Sequence, residues 1–155
     1  MAREVSLRDV SEGDLSLLYE HQADPVAAGM AAFPSRDRDA FMTHWAKLMV
    51  NDTVTKRTIL FRDGVAGNIV SFDREGHREV GYWIGREHWG KGIATAALTE
   101  FLEIETARPL YAYVAKHNIA STRVLQKCGF TIRGDCRGPL VPGGEEIEDY
   151  ILILG

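Results

Sequence analysis

The sequence predicts an α/β fold of the α+β kind, a mixed, mostly antiparallel twisted sheet flanked by helices. Three observations carry that expectation. Before position 84, short runs of strand-forming residues are joined by turn residues, the pattern of hairpins rather than of βαβ units. The last run, Val80 to Ile84, stops at Gly85. It passes through Gly90-Lys91-Gly92 into apolar residues at 94, 97, 98, 101 and 102, the stripe of an amphipathic helix. At 155 residues, with 45% hydrophobic and 26% charged content, the chain has the size and make-up of one ordinary globular domain.

Val5 to Val10 alternates and reads as a first strand. Ser11-Glu-Gly-Asp14 has capping-box form ahead of Leu15, Leu17, Leu18 and Tyr19, which start a first helix. Residues 23 to 35 hold two prolines and little pattern, so they read as a loop or a broken helix. A second helix from Ser35 or Asp37 carries Phe41, Trp45, Leu48 and Met49 on one face and ends at Asn51 and Asp52. Thr58 to Arg62, a turn at Asp63-Gly64, and Val65 to Phe72 form a hairpin. Glu75-Gly76-His77 turns the chain into Glu79 to Ile84. The glycine loop and its helix follow, to about Ala107. Pro109 breaks, Leu110 to Val114 is a buried type of strand, and Asn118 begins a short helix closed by Gly129. Phe130 to Arg137 and Glu146 to Leu154 are the last strands, joined through Pro142-Gly143-Gly144. The order is β-α-α-β-β-β-α-β-α-β-β.

A net charge of −4 offers no basic field for nucleic acid or an anionic membrane. No apolar run approaches the ~20 residues of a membrane span. Met-Ala-Arg-Glu-Val-Ser lacks an apolar signal core, so a cytoplasmic location is expected. Cys128 and Cys136 have neither metal-ligand nor CxxC spacing, so they read as reduced structural thiols, and no metal is expected.

A glycine loop between a strand end and a helix start directs unpaired N–H groups and the positive end of the helix dipole at one point. Such a point favours an anion such as a pyrophosphate. Gly85-x4-Gly90-Lys91 approaches a P-loop, but Gly92 stands where the Mg²⁺-binding Ser or Thr belongs. Gly90-x-Gly92 begins a dinucleotide fingerprint, yet its third glycine is Thr95 and Tyr111 to Val114 carries no ribose-binding carboxylate.

Two blocks resemble the GNAT superfamily of acetyl-CoA-dependent N-acetyltransferases. Gly81-Tyr-Trp-Ile-Gly-Arg-Glu-His-Trp-Gly-Lys-Gly-Ile-Ala-Thr95 is similar to the family's pyrophosphate loop. His117-Asn-Ile-Ala-Ser-Thr-Arg-Val-Leu-Gln-Lys-Cys-Gly-Phe130 is similar to its pantetheine-lining block. The Trp-Gly-Lys-Gly form and the closing Glu-Asp-Tyr150 resemble the branch of ribosomal-protein N-terminal Ser/Ala and polyamine acetyltransferases. The resemblance covers nearly the whole chain, with residues 23 to 57 its least specific part.

The resemblance implies a single N-acetyltransferase domain over residues 1–155, with acetyl-CoA as co-substrate. The acceptor would be a primary amine, on a protein N-terminus or a small molecule, attacking directly in a ternary complex. A homodimer stays open. Main-chain N–H groups of Trp89, Gly90, Lys91, Gly92, Ile93, Ala94 and Thr95 would cradle the pyrophosphate. The splayed end of the Glu79 to Ile84 strand would pair with the pantetheine amides. An N–H near Trp83 or Ile84 would polarise the thioester carbonyl. Asn118 and Ser121, one helical turn apart, would both reach the arm, and Ser121 is the first candidate to protonate the leaving thiolate. Many family members carry a tyrosine acid on this helix; Val124-Leu125-Gln126-Lys127 has none. A thiol of pKa ~8.5 makes such an acid helpful rather than obligatory.

Glu79 is the candidate base for the amine, with His77 and Tyr82 as weaker alternatives. Strand alternation puts Glu79 and Tyr82 on opposite faces, so without a bulge they are not expected in one cleft. A lysine amine of pKa ~10.4 needs ~4.6 kcal/mol to be neutral at pH 7 and an α-amine near ~8 needs ~1.4, so a sparsely equipped site fits an α-amine better. Plainer readings stand beside these. Asn118 is a helix N-cap, Ser121 an exposed helix serine, and Glu79 a cross-strand partner of Arg78 or Lys56. Tyr19, Met30, Phe33 and Trp45 line the acceptor side or are core. His21, His44 and His88 are surface residues. Glu145, Glu146, Glu148 and Asp149 attract a cationic acceptor or form a solvated hairpin edge. Neither cysteine has a base beside it, which disfavours a covalent acetyl-enzyme. The absent tyrosine also leaves a non-catalytic CoA sensor of the same fold as an alternative.

Overall fold

A computed structural model describes residues 4–32, 35–138 and 147–155. The alternating segments pair into one seven-stranded sheet: β1 (Val5–Arg8), β2 (Thr55–Phe61), β3 (Gly64–Arg74), β4 (His77–Ile84), β5 (Leu110–Ala115), β6 (Thr131–Gly138) and β7 (Ile147–Leu154), in the order β1-β2-β3-β4-β5-β7-β6. Every neighbouring pair is antiparallel except β4 with β5. The expected fold class is therefore the observed one. The last two strands lie within a residue of their expected bounds; the Pro142-Gly143-Gly144 turn lies outside the described residues.

Three helices precede β2 where two were expected. After a 3₁₀ turn at Glu12–Asp14 come α1 (Leu15–Ala23), α2 (Pro25–Ala31) and α3 (Arg38–Met49). Pro25, read as a breaker, instead starts α2: it occupies the first turn, where its missing N–H costs nothing. Asp24 caps that helix by accepting from Val26 N–H at 2.9 Å. Asp37 caps α3 in the same way, through Ala40 N–H at 2.8 Å. The first hairpin turns one residue early, on Arg62 and Asp63, which both hold positive φ (50° and 68°) as a type I′ turn demands. Asp14 ties the N-terminal segment down. It accepts from both terminal nitrogens of Arg8 (2.8 and 2.7 Å), from Ser11 N–H (2.9 Å) and from Thr58 Oγ1 (2.7 Å), and the Arg8 hydrogen bonds hold its carboxyl well below the usual range.

The sheet's two faces are covered separately. On one, α4 (Ile93–Ile104) and α5 (Ile119–Lys127) bury Ile93, Leu98, Phe101 and Leu125 against Ile69 and Leu152. On the other, α1 and α3 bury Leu15, Leu18, Phe41 and Trp45. α4 ends three residues before Ala107 because Glu105 turns to extended backbone. Its carboxylate there takes Arg78 Nε at 2.7 Å and the Ser71 hydroxyl.

Candidate active site

β4 keeps its register with β3 from His77 to Ile84. Its other edge meets β5 only through Arg78↔Leu110 and Glu79↔Tyr111. Beyond those pairs the strands part. Small residues line the gap, Gly81 on β4 and Ala112 and Ala115 on β5, and a cavity of about 480 Å³ extends from α1 and α3 through the gap to α5. Gly85 N–H bonds to the Ala66 carbonyl at 2.8 Å. By alternation, Ile84, Tyr82 and Val80 then turn their main-chain groups toward the gap, and Trp83 turns its own toward β3. Of the two N–H groups singled out in the sequence, the geometry places that of Ile84 on the open edge.

The glycine loop sits at the end of β4. Gly90 and Gly92 are left-handed (φ 76° and 75°), and a Cβ on either would meet nothing within 4 Å. Gly92 is the N-cap of α4. The first intrahelical bond runs from Ala96 N–H to the Gly92 carbonyl at 3.2 Å, so the N–H groups of Ile93, Ala94 and Thr95 have no helical acceptor. Open space before a row of outward N–H groups suits a diphosphate. The half-exposed Trp89 donates its indole N–H to the Ile84 carbonyl at 2.9 Å, tying loop to strand end. The Lys91 ammonium packs over the Phe61 ring, 5.4 Å from its centroid.

Glu79 lines the cavity and is 8% exposed. Its partner is neither Arg78, which goes to Glu105, nor Lys56, which bonds main-chain carbonyls. Arg74 Nε lies 3.0 Å from Glu79 Oε1, yet that oxygen receives no aligned hydrogen bond. Burial pushes the Glu79 carboxyl up to about 6; the Arg74 charge works against that shift and Glu75 adds to it. A carboxylate with this exposure and basicity is suited to taking a proton near neutral pH.

Tyr82 lines the same cavity from the opposite face of the strand. The expected exclusion of one of the two fails, and no bulge is involved. The cleft passes through the sheet, so both faces of β4 border it. Tyr82 Oη lies 2.7 Å from Ser121 Oγ, and burial pushes the phenol up to about 12. A tyrosine from β4 thus meets α5 at Ser121, a contact that sequence spacing could not reveal. Asn118 serves as N-cap of α5, accepting from Ser121 N–H at 3.3 Å, and borders the cavity as well.

Other expectations divide. Trp45 lines the cavity, Tyr19 packs edge-on against Phe41 in the core at 5.6 Å, and Met30 is surface-exposed; Phe33 lies outside the described residues. His21 is buried, not superficial, because Gly85 leaves it room: a Cβ there would stand 2.7 Å from His21 Nε2. His44 lines the cavity; burial, with Arg36 and Lys47 beside it, lowers its pKa. His88 is half-buried, stacked edge-on against Phe61. His77 stacks on Tyr111 at 4.2 Å and does not line the cavity. Asp149 is buried on β7, whose place between β5 and β6 turns alternate residues inward, while Glu148 is exposed and bridged to Lys116 at 3.3 Å. Glu145 and Glu146 lie outside the described residues. No group of His, Cys, Asp or Glu among the described residues is placed to hold a metal ion, and no described helix is long and apolar enough to cross a membrane.

Residues 4–131 match the acetyltransferase (GNAT) domain family. The chain is 25% identical to the uncharacterized N-acetyltransferase p20 of Bacillus licheniformis, over 97% of this chain and 92% of that one. Among solved structures it is similar to spermidine N-acetyltransferase from Vibrio cholerae in complex with CoA and spermine, with a TM-score of 0.83 at 18% identity, covering 97% of this chain and 95% of that one. It is also similar to a GNAT-family acetyltransferase from Bacillus anthracis, with a TM-score of 0.82 at 17% identity, covering 99% and 96%.

Proposed function

The chain belongs to the GNAT acetyltransferase family, an acyltransferase family acting on amines, and from that premise we propose that its single domain, residues 1–155, transfers acetyl from acetyl-CoA to a primary amine by direct attack in a ternary complex. The observation that carries this reading is the parting of β4 from β5 beside the glycine loop. One end of the gap offers main-chain N–H groups for a diphosphate and its middle offers a free strand edge for the pantetheine amides. Acetyl-CoA supplies an activated thioester carbonyl. A neighbour's complex with CoA agrees with such a use of the fold.

The chain's own residues divide the remaining work. Glu79 takes the proton of the incoming ammonium, directly or through water. Ile84 N–H is turned toward the gap, where it donates to the oxygen that gains charge. Ser121 donates a hydrogen bond to the departing sulfur. Tyr82, with a phenol near 12, is a poor proton source for a thiolate of pKa ~8.5. Transfer would be uphill by roughly 5 kcal/mol. Its part is to hold Ser121 in place, while solvent supplies the proton. Tyr82→Phe is accordingly expected to lower kcat about 10-fold with little change in KM for acetyl-CoA, the scale of one lost neutral hydrogen bond. A loss near 1,000-fold in steady-state assays would make Tyr82 the acid itself.

The reading is tested by following free thiol release from acetyl-CoA against a panel of amines. Turnover with at least one amine is expected. Tight CoA binding with no turnover on any amine would identify a sensor instead.

A further inference from the structure

The part of the cavity on the α1–α3 face says what kind of amine fits it. Among the described residues that line it, Arg36, Arg74 and Glu79 carry full charges; His44 is biased to its neutral form by burial and by Arg36 and Lys47. Glu79 already faces Arg74 at 3.0 Å. Asp149, buried on β7 opposite Ala115, does not line the cavity. A polyamine would bring further positive charge beside Arg74, where no second carboxylate among the described residues lines the cavity to receive it, and like charges in a desolvated cleft repel strongly.

We propose that the acceptor is an α-amino acid with a bulky apolar side chain, its carboxylate held by Arg74 and its amine by Glu79. This rests on the acetyl-transfer reading above. Arg74 is fixed from two sides: its guanidinium carbon stands 4.8 Å from the centroid of the Tyr113 ring, and its Nε faces Glu79. It lines the cavity with 39% of its side chain exposed and carries guanidinium donors beyond Nε, one of them shared with the Tyr113 hydroxyl, in the planar fork that suits a carboxylate. An α-amino acid carries its cation and anion on one carbon. Such a zwitterion pairs head to tail with an arginine and a glutamate that already stand side by side. The pairing sets the amine on the group that takes its proton, at the point where the strands part. Beyond it the wall is apolar, with Phe41, Trp45, Leu48, Val70 and Phe72, which suits a branched or aromatic side chain.

The test compares leucine with leucinamide, 3-methylbutylamine and spermidine, reading kcat/KM from thiol release. Leucine is expected to exceed each of the others by at least about 10-fold, although leucinamide is the easier amine to deprotonate. In Arg74→Gln the leucine-to-leucinamide ratio is expected to fall to about one, and Arg74→Lys is expected to restore part of it. Equal or better turnover of leucinamide or spermidine by the unaltered protein overturns the proposed acceptor class and leaves acetyl transfer standing. Absence of thiol release with every amine overturns acetyl transfer and the acceptor class together.

Discussion

Replacing Gly92 with glutamate is expected to weaken CoA binding by at least about 100-fold while leaving the protein folded. Gly92 caps α4 with φ at 75°, and a side chain there would point into open space in front of the outward N–H groups. The glutamate therefore clashes with nothing in the protein. Its charge stands where the diphosphate is proposed to sit, and juxtaposed like charges cost several kcal/mol. The left-handed backbone adds a strain of about 1 kcal/mol for a residue with a Cβ, a loss of about 2–4 °C in Tm for a chain of this length. Isothermal titration with CoA and a melting curve separate the two effects. Unchanged CoA affinity in a folded Gly92→Glu protein removes the loop from the binding site.

Glu79→Gln is expected to lower kcat by about 100-fold or more, the usual reach of a positioned base, and to change the pH profile. In the unaltered protein the rate is expected to rise as pH climbs through about 6, where the raised Glu79 carboxyl gives up its proton. In Glu79→Gln that limb disappears. Stability moves the other way. The folded-state pKa lies above the ordinary 4.5, so Glu79's favourable contribution is complete below that value and is lost as pH rises through about 6. Above pH 7 the charged form costs the fold about 2 kcal/mol, a cost that glutamine, which cannot ionise, avoids. The variant should thus be slower and, at pH 7.5, melt several degrees higher. Full activity in Glu79→Gln eliminates its role as base.

Much of this was readable from the residues because the signals were local. Glycines at 90 and 92 before an apolar stripe specify a helix start whatever lies elsewhere, and Asn118 with Gly129 brackets α5 at both ends. The pairing of Arg74 with Glu79 was less legible, since it runs diagonally across a hairpin and competes with the nearer Arg78. The contact between Tyr82 and Ser121 was not legible at all. It joins a strand to a helix 39 positions away, and the alternation rule that separated Tyr82 from Glu79 assumes a cleft lying on one face of a sheet. α2 was legible only as one of two alternatives, the broken helix, for a narrower reason: a proline weighs against a helix unless Asp24 is recognised as the cap that puts it in the first turn.

On the edge of β4 that β5 leaves, the main-chain groups of Val80 and Tyr82 and the N–H of Ile84 face the gap in the middle of the sheet. Helices on both faces hide those groups from other protein molecules, so they do not invite the intermolecular pairing that an outer edge does. Within its own boundaries the protein is one strand short, and the proposed occupant completes it with a non-peptide backbone. A ligand that finishes a sheet binds only the folded chain. Added CoA is therefore expected to raise the melting temperature and to slow proteolysis as its concentration climbs.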